Sequence, residues 1–239
     1  MADTSSKSIT AFSVSKIVKG NSETVFLFMS ENRITRLAVQ KRNPNRVNVY
    51  LDGAFAFGLY RETAYWLEIG QVLSDEKIND LLSKDKKAEA YKKALDYISY
   101  KPRTTRETEK KLLEEGYDET LVSETIHALT ENGLLNDEQY AEQWVEERQR
   151  LKPRSSRMLG FELRRKGIPE ELIQTALEDV DDFQAALDIA EQRAARYSGL
   201  PAFEFRAKLG NYLAGKGFDY DVIREVTAAV REKIDTSGH

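Results

Sequence analysis

The stretch GLLNDEQYAEQWVEERQRLKPRSSRMLGFELRRKG, from Gly133 to Gly167, predicts one complete helical hairpin. Asn136 is placed to cap the first helix, and Pro153 predicts its end, because proline restricts the residue before it and donates no hydrogen bond. A second helix is predicted to start at Ser155 or Ser156 and to stop at Gly167, since glycine adopts the left-handed conformation without strain. Four apolar residues recur at the spacing that places side chains on one side of the first helix: Tyr140, Ala141, Trp144 and Val145.

The charge of the chain changes abruptly within this hairpin. From Glu107 to Glu147 there are thirteen acidic side chains, whereas Arg148 to Lys166 carries eight basic ones against the single Glu162. Such a basic run is a solvated face, a partner for the acidic segment before it, or an electrostatic binding surface. The sequence leaves these alternatives open.

The apolar residues of the hairpin and of the helix after it are assigned to the core, because helical apolar stripes usually face inward. On this assignment Trp144→Ala would cost about 3–5 kcal/mol of stability, the range for truncating a buried aromatic side chain. The predicted core residues are Tyr140, Trp144, Leu163, Leu172 and Ile173.

The composition narrows the class of protein. The chain has 239 residues, of which 41% are hydrophobic and 32% charged, which favours a soluble helical or elongated protein. No run approaches the roughly 18 apolar residues needed to span a bilayer, and the N-terminus lacks the apolar region of a signal peptide. We therefore expect a cytoplasmic protein. The absence of cysteine excludes disulfides, thiolate metal sites and cysteine nucleophiles.

The N-terminal part is predicted to be a tail followed by strands. Residues 1–31 are expected to be mobile, with a weak strand near Val25. From Ile34 the apolar period changes to two, which predicts β-strands. The segments Arg42 to Asn45 and Asp52-Gly53 are typical of hairpin turns. A three-stranded antiparallel meander is therefore predicted.

Helices are predicted from the end of this meander onward. A short helix is expected from about Arg61 to Ile69, stopping at Gly70. Ser74 is placed to cap the next helix, whose first turn is acidic and so complements the helix dipole. Within it the charged run Lys84 to Lys87 indicates either a hinge or one continuous solvated helix.

An internal repeat organises the helical part of the chain. The segment KPRTTR at Lys101 to Arg106 lies fifty-one positions before KPRSSR at Lys152 to Arg157, and Gly116 lies fifty-one before Gly167. A weaker copy follows around Gly217. A three-helix unit of this size has too little interior to be stable alone, so neighbouring units are expected to stack and share apolar surface. The predicted fold class is mainly α, with tandem three-helix repeats in an elongated curved rod behind the small β-element.

Catalytic chemistry is not indicated by any motif. The sequence lacks the phosphate-loop, dinucleotide, zinc-protease and serine-hydrolase patterns. His127 lies on a predicted helix without a second titrating partner, so a solvent-facing or satisfied histidine is favoured over a general base. We expect no cofactor, no metal site and no enzymatic activity. An enzyme with a metal or carboxylate site is the competing class, and loss of an activity on single carboxylate substitutions with folding intact would support it.

The hairpin sequence resembles that of a known family. The run DEQYAEQWV from Asp137 to Val145, followed by an arginine-rich helix ending at Gly167, is similar to the RecX family of bacterial regulators of the RecA recombinase. The resemblance covers about Tyr91 to Val230, and residues 34–70 resemble the extra N-terminal β-element of longer members. The third repeat departs from the first two, since it lacks the Lys-Pro-Arg start and contains Gly210 and Gly215.

The resemblance implies a non-catalytic modulator that binds in the groove of the RecA–single-stranded DNA filament and bridges RecA subunits. It would inhibit ATP hydrolysis, strand exchange and co-protease activity, and so regulate recombination, DNA repair and the SOS response. We expect an elongated monomer. The expected segments are a tail (1–31), a β-meander with a short helix (32–72) and three helical repeats (73–136, 137–181 and 182–235).

A set of basic residues around the second helix of the first two repeats is predicted to face the filament, meeting acidic RecA side chains, DNA phosphate or both. They are Arg103, Arg106, Arg154, Arg157, Arg164, Arg165 and Lys166. An alternative is a helical regulator that binds DNA without a protein partner, since helices that begin with arginines can enter a major groove. The pI near 5.5 argues against strong autonomous DNA binding but allows a weak, salt-sensitive contact.

Overall fold

The computed structural model describes residues 31–237, so residues 1–30 of the predicted tail, with the strand near Val25, lie outside the described part. The predicted fold class is confirmed: a three-stranded antiparallel sheet precedes a helical remainder. Over the described range no helix is long and apolar enough to cross a membrane. The strands are β1 (Ile34–Val39), β2 (Arg46–Leu51) and β3 (Ala54–Tyr60). The helices are α1 (Arg61–Ala64), α2 (Asp75–Tyr100), α3 (Thr105–Glu114), α4 (Glu119–Glu131), α5 (Asp137–Leu151), α6 (Ser156–Lys166), α7 (Glu170–Leu177), α8 (Asp182–Ala194), α9 (Ala202–Ala214) and α10 (Tyr220–Ser237).

The sheet is the predicted meander, in the order β1-β2-β3. Asp52 and Gly53 connect β2 to β3 with φ values of 48° and 87°, the left-handed conformation that a tight hairpin turn requires. The helix that follows is shorter than predicted, because α1 ends at Ala64 and does not reach Ile69. The chain turns there so that Leu67, whose N–H donates to the Ala64 carbonyl at 3.0 Å, is buried with Ala64 under the sheet.

The charged run Lys84 to Lys87 is part of one continuous helix, α2. Asp85 accounts for the continuity of the helix. Its carboxylate is buried against the sheet, and a buried charge must be paired. It accepts a hydrogen bond from Arg46 Nη2 at 2.8 Å and another from the Tyr60 N–H at 2.5 Å. These bonds tie α2 to the β-element, so a hinge at this point would break them.

The helices form three units, made of α2–α4, α5–α7 and α8–α10. Thr104 and Ser155 cap the second helix of the first two units, each accepting from a backbone N–H three residues on. The second helices are each followed by a glycine in the left-handed region: Gly116, Gly167 and Gly217 have φ values of 89°, 84° and 93°. The fifty-one-residue spacing therefore corresponds to a repeated helix start and a repeated helix end.

Each unit has a hydrophobic core of its own, and the β-element has a fourth. In the second unit the core contains Ala141, Val145, Leu159, Leu163, Ile168 and Ile173, all from α5 to α7. The third unit buries residues of α8–α10 around Phe205, and the first buries residues of α2–α4 around Leu129. Among the described residues no buried cluster spans two units. Apolar contact between units is therefore local, where the Arg106 stem packs on Gly167 and Met158 packs on Gly217.

Candidate partner-binding surface

The junction between the first two units is built at the start of α3. The Thr104 hydroxyl is fully buried and donates to the Lys166 carbonyl at 2.8 Å, while the Thr105 N–H donates to Asp137 Oδ1 at 2.8 Å. The aliphatic stem of Arg106 packs on Gly167 so closely that a Cβ there would lie 2.1 Å from Arg106 Cδ. The start of α3 thus abuts the end of α6 in the next unit.

The junction between the second and third units repeats this arrangement at the start of α6. The Ser155 N–H donates to the Lys216 carbonyl at 3.2 Å. The Ser156 N–H and hydroxyl both donate to the Asp182 carboxylate, at 2.7 and 2.9 Å. Arg157 donates from Nη2 to the Gly217 carbonyl at 3.0 Å.

These contacts give the repeated Lys-Pro-Arg segment a structural role that sequence reasoning missed. The hydroxyl residues and the last arginine of each copy hold the following unit, which is why the spacing recurs. The acidic partners Asp137 and Asp182 were also missed. Their common position, as the first residue of the first helix in the next unit, was the available signal. In the third unit α9 begins after Pro201 without a side-chain cap.

Most of the predicted binding cations have partners inside the chain. Lys166 Nζ lies 2.6 Å from Glu107 Oε1, across the first junction. Arg164 makes a two-bond contact with the exposed Glu170 at 2.6 and 2.7 Å. Arg154 forms an ion pair with Glu162.

The remaining predicted cations differ in exposure. Arg103 is half-buried with its guanidinium 4.1 Å from the Tyr97 ring centroid. Arg106, Arg157 and Arg165 are exposed, and Arg157 Nε lies 3.5 Å from Asp219 Oδ1. Among residues 31–237 Arg165 makes no ion pair, and its guanidinium lies 5.9 Å from the ring centroid of Phe161. Arg165 is therefore available to a partner, as is Arg106, which also makes no ion pair in the described part of the chain.

The side chains assigned to the core divide into two groups. Leu163 and Ile173 are fully buried, and Leu172 is half-buried against them. Tyr140 and Trp144 are also only half-buried, so they lie at the edge of the core and not within it. Their rings stack at 5.9 Å between centroids.

Trp144 is the centre of a polar and cationic cluster beside the first junction. Its Nε1 donates to Glu162 Oε2 at 3.0 Å, and the guanidinium of Arg148 lies 4.1 Å from its ring centroid. Lys166 Nζ lies 5.4 Å from the same ring. A groove of about 390 Å³ opens here, lined by Glu107, Trp144, Arg148, Glu162, Arg165 and Lys166. The aromatic ring thus faces cations, an arrangement that is favourable because of the ring quadrupole.

Glu107 and Lys166, which pair across the first junction, have shifted pKa values. Burial opposes ionisation of Glu107, but the hydrogen bond and charge of Lys166 outweigh it, so the pKa of Glu107 lies below its ordinary value. Burial likewise disfavours the Lys166 ammonium, and the hydrogen bond from Lys166 to Glu107 outweighs this, so the pKa of Lys166 lies above its ordinary value. Both shifts favour the charged pair and hence the junction.

One face of α6 combines positive charge with an exposed aromatic side chain. Arg157, Phe161, Arg164 and Arg165 follow one another at the spacing of a single helical face. Phe161 is 53% exposed, which is unusual for phenylalanine. Exposed cations around an exposed aromatic ring are typical of a binding surface.

The chain matches family descriptions along most of its length. Residues 32–74 match the "Regulatory protein RecX N-terminal domain", and residues 90–129, 136–177 and 179–227 match the first, second and third three-helix domains of RecX. These matches follow the β-element and the three helical units in order.

Relatives and solved structures agree with these matches. The Regulatory protein RecX of Clostridium perfringens (strain 13 / Type A) is 32% identical over 206 residues, which are 82% of this chain and 96% of the relative. That of Bacillus subtilis (strain 168) is 30% identical, over 80% of this chain and 74% of the relative. A crystal structure of regulatory protein RecX superposes with a TM-score of 0.66 at 29% identity, covering 82% of this chain and 98% of that one. The crystal structure of RecX from Lactobacillus salivarius gives 0.57 at 31% identity, covering 62% and 97%.

Proposed function

Because the chain belongs to the RecX family of regulatory proteins, we propose that it modulates the RecA recombinase without catalysing a reaction itself. The protein binds in the groove of the RecA–single-stranded DNA filament, bridges RecA subunits, and inhibits ATP hydrolysis, strand exchange and co-protease activity. It acts in the cytoplasm as a monomer with at most weak direct DNA contact. These activities are the ones through which it regulates recombination, DNA repair and the SOS response.

The observation that carries the proposal is the α6 face with Arg157, Phe161, Arg164 and Arg165. It is basic in a protein whose net charge is −4, so it concentrates positive charge where an acidic partner can be recognised. Arg106 is also exposed, and its stem packs on Gly167 at the end of α6. Arg157 and Arg164 stay exposed although they pair with Asp219 and Glu170. Arg103, Arg154 and Lys166 are half-buried, and we assign them to positioning α3, α6 and the first junction.

The junctions weigh against an autonomous DNA-binding regulator. Such a protein would insert the start of α3 or α6 into a major groove. Thr104 and Ser155 at these starts are 0% and 1% exposed, because each is covered by the following unit. The helix N-termini are thus occupied by protein, and the exposed cations lie further along the helices.

The proposal is tested by RecA-catalysed ATP hydrolysis on single-stranded DNA with this protein titrated in below one molecule per RecA. Inhibition at such ratios is expected, with DNA binding by the protein alone being weak and reduced by salt. Tight DNA binding, with an effect on RecA explained by competition for the strand, would contradict the proposal.

The surface assignment has a separate test in Arg165→Glu combined with Phe161→Ala, since neither side chain takes part in a junction. We expect weaker inhibition of RecA with an unchanged melting temperature. The matched control is Arg206→Glu with Phe203→Ala, which reverses one exposed cation and truncates one exposed phenylalanine on α9. If the control weakens inhibition equally, overall charge and not the α6 face is responsible.

A further inference from the structure

A different groove lies between α5, α7 and the start of α8, where the second and third units meet. It has a volume of about 560 Å³. Apolar side chains line its floor, namely Val145, Ala176, Val180 and Ala185. Its sides carry five carboxylates, from Glu142, Glu146, Asp179, Asp181 and Asp188. No lysine or arginine of residues 31–237 lines it.

The first unit has a groove at the equivalent place, between α2 and α4, and its charges are balanced. It is lined by three cations and three carboxylates, which are Arg61, Lys87, Lys92, Glu62, Asp96 and Glu124. Lys87 and Glu124 pair across it at 2.7 Å between Nζ and Oε2. The repeat architecture therefore does not require an acidic groove.

The acidic character of the second groove comes from particular positions in the repeat. Glu142 and Glu146 occupy the positions in the second repeat that Tyr91 and Leu95 occupy in the first, fifty-one residues earlier. Tyr91 and Leu95 line the first groove, so two uncharged side chains there are replaced by two carboxylates in the second groove. Both glutamates are on α5 one helical turn apart, so they form a row along one side of the apolar floor. Asp188 lies on α8.

These carboxylates lack cationic partners in the described part of the chain. Asp181 accepts only from the Gln184 backbone N–H at 3.0 Å, and Asp188 only from Gln184 Nε2 at 2.6 Å. Like charges around one groove repel, so its empty form is electrostatically unfavourable. Among residues 31–237 no three aspartate, glutamate or histidine side chains lie close enough together to hold a metal ion. An extended cationic ligand relieves the repulsion at all positions together.

We propose that this groove binds a basic amphipathic segment of a partner protein. Apolar side chains of the segment pack on Val145, Ala176 and Val180, while its lysine or arginine side chains pair with the carboxylates on either side of the floor. The inference is independent of the proposed action on RecA, which uses the α6 face.

The test uses the full chain and a fluorescein-labelled peptide of leucine and lysine, with a leucine stripe flanked by lysines. Saturable binding that weakens with salt is expected. The variant Glu142→Gln, Glu146→Gln, Asp179→Asn should bind this peptide about tenfold more weakly, since three surface ion pairs are removed. The matched control is Glu109→Gln, Glu119→Gln, Glu204→Gln, which neutralises three exposed carboxylates outside the groove and should bind as the parent does.

Two further measurements make the outcome decisive. A peptide of the same composition without the leucine stripe should bind weakly, since it cannot use the apolar floor. Equal weakening in both triple variants, or no binding of the striped peptide, would overturn the proposal. The groove variant should still inhibit RecA, so loss of peptide binding alone distinguishes a failure here from a failure of the proposed function.

Discussion

Replacing Gly167 with alanine tests whether the start of α3 holds the second unit. Gly167 has φ 84°, a conformation that costs a side-chain-bearing residue about 1–2 kcal/mol. The new Cβ would also lie 2.1 Å from Arg106 Cδ and 2.7 Å from Arg106 Cβ. The Arg106 Cβ is attached to the backbone, so the helix itself must shift.

The magnitude follows from the two costs together. Overpacking of this kind costs about 1–3 kcal/mol, so Gly167→Ala should destabilise the protein by about 2–5 kcal/mol. Gly116 provides the matched control, because its φ is 89° but no atom lies within 4 Å of the position of a Cβ. Gly116→Ala should therefore cost only the conformational part, about 1–2 kcal/mol.

Urea unfolding measures both variants, and amide hydrogen exchange locates the change. Exchange should accelerate at the end of α6 and the start of α3 in Gly167→Ala, and only locally after α3 in Gly116→Ala. Arg106→Ala in the Gly167→Ala background removes Cγ and Cδ, so it should restore part of the lost stability. Equal destabilisation by the two glycine substitutions, without restoration, would refute the junction argument.

Three other outcomes are expected. Glu107→Gln should destabilise the protein by about 1.5–3 kcal/mol at neutral pH. Urea titrations at several pH values should show where the difference in unfolding free energy between parent and variant shrinks. Because the pKa of Glu107 is lowered, the difference should shrink as the pH falls below 4.5, the ordinary pKa of a glutamate. Because the pKa of Lys166 is raised, the difference should also shrink as the pH rises above 10.5, the ordinary pKa of a lysine. Trp144→Phe keeps the stacked ring but loses the donor to Glu162, so calorimetry should show a loss of about 0.5–1.5 kcal/mol. Asp182→Ala removes the acceptor of Ser156, and hydrogen exchange should become faster at the start of α6 but not in the core around Leu163.

The order of secondary structure could be predicted because local rules govern it. Asn136 and Ser155 cap helices since their side chains bond to a backbone N–H three residues on, and Gly167 ends a helix since it tolerates positive φ. The alternation of apolar residues after Ile34 likewise indicated the strands. Each of these features depends on neighbours within a few positions along the chain.

What the sequence by itself determined was thus the β-element, the three-helix repeat, and the family resemblance carried by the hairpin around Trp144. Only the tertiary structure decided which basic side chains are available to a partner protein. Lys166, for example, pairs with Glu107, which lies fifty-nine positions away along the chain. It also decided how the units meet, since whether Thr104 faces solvent or the Lys166 carbonyl depends on how α3 and α6 pack. Charge and periodicity describe one segment at a time, whereas exposure and pairing depend on the segments that fold against it.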